Sequence, residues 1–186
     1  MYQLILASGS PRRREILQAA GFTFRVVTAG VEEIRQPGEA GIDYVRRLAH
    51  EKAMAIDASP REIVLGADTT VELDGDILEK PADATEAARM LRRLSGRVHQ
   101  VHTGICLASA EETALDVATT QVTFAPLTAV EIDQYVASGE PFDKAGAYGI
   151  QGLASKFVER IDGCYFNVMG LPVNLFYLHW RRLIEA

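Results

Sequence analysis

Arg12, Arg13 and Arg14 follow directly on Ser8-Gly9-Ser10-Pro11. The apolar residues before them, Leu4-Ile5-Leu6-Ala7, read as a short buried strand. Ser10 suits a helix N-cap and Pro11 the first helical position. Three arginines in the first turn oppose the helix dipole, at about 0.3–1 kcal/mol each. A strand, a small-residue turn, a helix N-terminus and clustered cations together describe an anion site, with phosphate the best fit. The plain alternative is a solvated basic helix start with ordinary Ser-Pro capping.

Three further charges stand where local rules discourage them. Asp68 lies in Ile63-Val64-Leu65-Gly66-Ala67-Asp68-Thr69-Thr70-Val71. Alternation places Asp68 with Val64, Gly66 and Thr70 on one strand face. A buried carboxylate there needs a cation or several donors, and Gly66 leaves room for another group to approach. The alternative is a solvated face with a surface acid. Lys80 lies across the expected Asp74-Gly75 hairpin. A three-residue turn with a Gly75 bulge puts it opposite Asp68, and a two-residue loop puts it opposite Thr69. Lys52 shares a helical stripe with Ile42, Val45, Ala49 and Ile56, so it points inward unless its amine snorkels to water. A fourth candidate is the glycine-rich loop 139–152, where glycines permit close backbone approach and the Gln151 amide could read a base edge.

Other signals fall away. His50-Glu51 opens like a zinc-protease motif, but position 54 is methionine. His99 and His102 point to opposite strand faces and cannot share a metal. No phosphate-loop lysine, dinucleotide fingerprint or nucleophile elbow is present.

The elements that must position these residues follow from punctuation and period. Helices are expected over 11–20 (ended by Gly21), 40–58 (closed by Pro60), 85–94, 128–138 and from Leu171 or Pro172 onward. Strands are expected over 4–7, 22–28, 63–73, 77–80, 98–108, 113–124 and 156–161. They mix without strict alternation. The expected fold is therefore α/β with a mixed sheet, a single domain over 1–186 with two lobes around a cleft.

The sequence has 186 residues, 48% hydrophobic and 24% charged, with a formal net charge of −6. That balance argues against a nucleic-acid polymer as partner. No apolar run reaches membrane-span length and no signal-peptide pattern opens the sequence, so no membrane partner and a cytoplasmic location are expected. Cys106 and Cys164 are expected to be buried reduced thiols.

The runs Leu-Ala-Ser-Gly-Ser-Pro-Arg-Arg, Gly66-Ala67-Asp68-Thr69 and Glu79-Lys80-Pro81 are joined by Leu94-Ser95-Gly96-Arg97-Val98-His99. Asp143 to Gly152 and Gly170-Leu171-Pro172 complete the set. In order and spacing the sequence resembles the Maf family of nucleoside triphosphate pyrophosphatases over nearly its whole length. The resemblance implies hydrolysis between the α- and β-phosphates, a divalent cation (Mg²⁺ or Mn²⁺) and a fold similar to that of the inosine triphosphate pyrophosphatases. It places Ser8, Arg12, Arg13, Glu33, Lys52, Asp68, Lys80 and Gln151 on functional positions, with Asp68 as proton acceptor. Arg12, Thr69 and Gln151 fall where substrate preference is set and resemble the dTTP/UTP branch. Glu33 and Asp68 are then the hard oxygen ligands for the cation.

The resulting expectation is an enzyme acting on dTTP, UTP or related pyrimidine nucleotides, with a homodimer as the base-rate assembly. Two alternatives stand beside it. One is the same reaction on a modified purine triphosphate. The other is a nucleotide-binding regulator of septum formation without turnover.

Overall fold

The computed structural model describes residues 2–185. The strands are β1 (Gln3–Leu6), β2 (Phe24–Val26), β3 (Glu62–Leu73), β4 (Asp76–Leu78), β5 (Val98–Ala108), β6 (Thr113–Phe124) and β7 (Val158–Asp162). The helices are α1 (Pro11–Ala19), α2 (Gly41–Met54), α3 (Ala84–Leu94), α4 (Ala129–Ala137), α5 (Tyr165–Met169) and α6 (Val173–Glu185). The strand order is β2-β1-β3-β5-β6-β7, with β4 paired to β3. β1 runs parallel to β2 and β3, while β3–β4 and β6–β7 are antiparallel. The sheet is mixed, as expected.

The chain forms two compact units. One contains the residues up to Thr69, Thr103–Ala118 and those from Gly170; the other contains Thr70–His102 and Thr119–Met169. In the first, Ile5, Ala7, Val64 and Cys106 pack with Ala49 and Ala53 of α2. Close approach of α2 depends on two glycines on neighbouring strands. A Cβ at Gly66 would collide with the Ala49 carbonyl oxygen and lie 2.6 Å from the Ala53 amide nitrogen. A Cβ at Gly104 would lie 2.6 Å from the Val45 carbonyl carbon. The visitor that Gly66 admits is thus the backbone of α2.

In the second unit, α3 and α4 pack with Val71, Leu73, Val101, Val122 and Phe124. Asp74 and Gly75 both have positive φ, 55° and 83°, which is the geometry of a two-residue type I′ loop. Leu73 accordingly pairs with Asp76. The bulged register that would set Lys80 opposite Asp68 is not formed, and Lys80 lies beyond the last paired residue, Leu78.

Several boundaries differ from expectation. α2 ends at Met54 rather than residue 58, with Ala55 as its cap. Pro60 restricts the residue before it, Ser59, and lies too far on to set this end. Ile42 is exposed, so the inward stripe is Tyr44, Val45, Leu48, Ala49, Lys52 and Ala53. β2 and β4 are three residues each, shorter than read. β7 starts at Val158, after a 3-10 turn at Leu153–Phe157. The loop before it contains two more such turns, Glu140–Asp143 and Ala145–Ala147. Helix α5 carries too few residues to show a period. Cys106 is buried, but Cys164 is only partly so.

Candidate active site

β3 is buried on both faces through Ile63–Asp68, so the solvated-face reading of Asp68 fails. Burying a carboxylate requires compensation. Lys52, in the last turn of α2, supplies it: Nζ donates to Asp68 Oδ1 at 2.6 Å. The same ammonium donates to Glu33 Oε1, also at 2.6 Å. Glu33 belongs to the loop between β2 and α2 and is far more exposed than the other two. Lys52 does not snorkel; its amine is held between two acids. Burial pushes the Asp68 carboxyl above the ordinary carboxylate range, against the opposing pull of Lys52 and Arg13. A carboxylate whose desolvation is only partly offset is a better proton acceptor than a surface one.

The three arginines of α1 divide by exposure. Ser10 caps the helix, accepting from the Arg13 amide, and Pro11 is at the first position. Arg13 is buried on the same side as Ile16 and Leu17, Arg12 is half-buried and Arg14 is exposed. The Arg13 fork is tied down by protein groups. Nε donates to the Gly170 carbonyl at 2.8 Å, Nη1 to Ser8 Oγ at 2.9 Å and Nη2 to Thr69 Oγ1 at 3.1 Å. Burial lowers its pKa, with Asp68 and Glu33 pulling it back up. The guanidinium nonetheless remains charged.

Two hydrogen-bonded groups therefore meet on adjacent residues of β3. Glu33–Lys52–Asp68 is one; Ser8–Arg13–Thr69 is the other, with the Gly170 carbonyl. Arg12 lies on the first turn of α1 beside this second group. Lys80 and Gln151 are exposed residues of the other compact unit, Lys80 after β4 and Gln151 in a turn before the third 3-10 segment. The glycines around Gln151 have internal tasks. A Cβ at Gly149 would lie 2.6 Å from Lys144 Cε, and one at Gly152 would lie 2.5 Å from Glu140 Oε2. They make room for the Glu140 and Lys144 side chains.

Two contributors escaped the sequence reading. The Gly170 carbonyl accepts from Arg13, and a backbone acceptor has no side-chain signature. Thr103, fully buried on β5, lies with its hydroxyl 3.0 Å from that of Thr69. The placement of Arg13 was readable in principle, since Arg13, Ile16 and Leu17 follow i, i+3, i+4 spacing.

Among the described residues, no group of three or more His, Cys, Asp or Glu could hold a metal ion. Glu33 and Asp68 nonetheless converge on one ammonium, so their carboxylates already share a cation. Mg²⁺ and Mn²⁺ need no all-protein cage when one or two carboxylates combine with substrate phosphates. This donor set fits such an ion. Among the described residues, no helix is long and apolar enough to cross a membrane.

A mixed sheet with helices, and a buried acid–lysine pair next to an arginine-clamped turn, define an α/β protein of enzyme-like construction. Its fold is similar to that of a HAM1 protein from Coxiella burnetii, with a TM-score of 0.52 at 15% identity over 100% of both chains. The family model described as Maf-like protein matches residues 3–183, and the chain belongs to that family. It is 51% identical to a dTTP/UTP pyrophosphatase of Koribacter versatilis, covering 96% of this chain and 93% of that protein. It is 54% identical to a dTTP/UTP pyrophosphatase of Salmonella typhimurium, covering 93% and 89% respectively.

Proposed function

We propose that this protein hydrolyses dTTP and UTP to the monophosphate and pyrophosphate. The names and close similarity of its relatives support the substrate class. The observation that carries the reading is the buried Asp68 carboxylate bonded to Lys52 beside the Arg13-clamped Thr69.

In this reading Asp68 accepts a proton from water as the water oxygen bonds to the α-phosphorus. The bond from that phosphorus to the bridging oxygen breaks, and pyrophosphate leaves with the electron pair. The Lys52 ammonium keeps Asp68 and Glu33 in place and opposes the negative charge that develops beside them. Ser8, Arg12, Arg13 and Lys80 are assigned to the phosphates, as cations and donors suited to a polyanion. Arg12, Thr69 and Gln151 are assigned to substrate preference. Glu33 and Asp68 would hold Mg²⁺ or Mn²⁺, which supplies charge neutralisation at the phosphates when bound.

The test is a nucleotide panel with Mg²⁺ in water enriched in oxygen-18, with products separated by chromatography. Label in the monophosphate, with unlabelled pyrophosphate, is expected. Orthophosphate and a diphosphate would refute the bond assignment. A preference for purine triphosphates would refute the substrate class.

A further inference from the structure

Thr69 has one hydroxyl hydrogen and two lone pairs. Arg13 Nη2 donates into one lone pair at 3.1 Å. Thr103 Oγ1 lies 3.0 Å away, and either hydroxyl can be the donor of that bond. The Gly170 carbonyl is a longer acceptor at 3.5 Å. Arg13 is itself fixed by Ser8 and Gly170. Thr69 is partly exposed, whereas Thr103 behind it is fully buried. The side chain available to a ligand is therefore held from within by a buried hydroxyl and a buried guanidinium.

The direction of the Thr69–Thr103 bond has a chemical consequence. If Thr103 donates, both Thr69 lone pairs are taken, and the Thr69 O–H is left for a ligand, with only the long 3.5 Å contact to the Gly170 carbonyl competing for it. If Thr69 donates, it keeps one lone pair to accept with. The bond thus decides whether Thr69 presents a donor or an acceptor. A site that reads polar edges discriminates strongly through such choices.

We propose that Thr103 is a positioning residue that fixes the rotamer and hydrogen-bond polarity of Thr69, and through it the nucleotide preference. This rests on the assignment of Thr69 to substrate preference made above. Thr103 touches no substrate in this scheme. Its effect passes through Thr69, so it should appear in KM and in selectivity rather than in kcat.

The test uses the full chain with T103V, T103A and T103S. T103V preserves shape and removes the hydroxyl; T103A removes the same hydroxyl should T103V fail to fold; T103S keeps it. Methyl NMR couplings at Thr69 read its rotamer. One rotamer is expected in the wild type and T103S, with averaging in T103V or T103A. A single unchanged Thr69 rotamer in the hydroxyl-free variants overturns the positioning role. In parallel, kcat/KM is measured for dTTP, UTP, CTP and dGTP. Loss of one neutral hydrogen bond should shift the dTTP:CTP or dTTP:dGTP ratio about three- to tenfold through KM, with T103S restoring it. Ratios that all stay at wild-type values refute the role in preference, even if every rate falls together. A wild type that turns over none of the four nucleotides refutes the proposed function, while the couplings still decide the positioning.

Discussion

Lys52 Nζ and Asp68 Oδ1 lie 2.6 Å apart with side-chain exposures of 8% and 10%. Two opposite charges buried at that distance, with Glu33 on the same ammonium, form a unit whose parts depend on one another. Removing one leaves a desolvated charge, which is far more damaging than losing a surface pair. In the proposed function, the chemistry and the local stability of the first compact unit therefore share the same atoms.

Asp68→Asn keeps the size of the side chain and removes its capacity to take a proton. Turnover of dTTP should fall about 10²- to 10⁴-fold, the range typical of losing a general base. Binding of a non-hydrolysable dTTP analogue, measured by calorimetry, should persist. A wild-type rate in the variant would contradict the role of Asp68.

Lys52→Met removes the cation and leaves Asp68 buried beside Glu33. A loss of about 3–5 kcal/mol in urea unfolding is expected, as for other broken buried pairs. In the Lys52→Met background, Asp68→Asn should recover part of that loss, because it removes the uncompensated charge. A double-mutant cycle measures this coupling directly. Additive effects would mean that the 2.6 Å contact carries no mutual stabilisation.

Asp68 and Lys52 were each legible in the sequence because each broke a burial pattern, but their pairing was not, since the partner read for Asp68 was Lys80 across the hairpin. An aspartate within an apolar strand and a lysine on an inward stripe are anomalies, but a solvated face and a snorkelling amine account for them equally well until burial is known. Glu33 was not legible from periodicity, since it lies in a loop with neither helical nor strand period. The arginine cluster was visible as a block, yet only Arg13 turns inward, with Ile16 and Leu17. Thr103 reads like any other strand threonine, and what distinguishes it is the hydroxyl of Thr69, which no local pattern reveals. The mixed sheet followed from turn signals and alternation. The start of α6 at Val173 also followed, one residue past Pro172, whereas the end of α2 at Met54 did not, because no glycine or capping residue marked it.

Gly66→Ala tests whether the approach of α2 sets the geometry of the site. The added Cβ would meet the backbone at Ala49 and Ala53, which cannot rotate away as a side chain can. The loss of stability should reach or exceed the upper end of the roughly 1–3 kcal/mol typical of overpacking. Displacing α2 also moves Lys52 from Asp68, so turnover should fall even at temperatures where the variant remains folded. Thermal unfolding and dTTP turnover on the same samples check both parts. An unchanged rate in a destabilised variant would separate α2 packing from the chemistry.

His99 gives the second compact unit its own pH dependence. Its ring is buried against Phe124 and Tyr148, and Nε2 lies 2.8 Å from the Tyr148 hydroxyl. Nδ1 has no hydrogen-bond partner. Burial lowers the pKa from 6.5 to about 4. The unfolded chain thus binds a proton that the folded chain refuses between those values. The stability contributed by keeping His99 neutral is fully present above pH 6.5 and declines as the pH falls towards and through 4. His99→Gln has no such titration. Relative to that variant, the wild type should lose about 2 kcal/mol of unfolding free energy between about pH 7 and pH 5, from the linkage of a single proton. Urea unfolding of both proteins across this interval gives the difference directly. A difference independent of pH would mean that His99 titrates alike in the folded and unfolded chains.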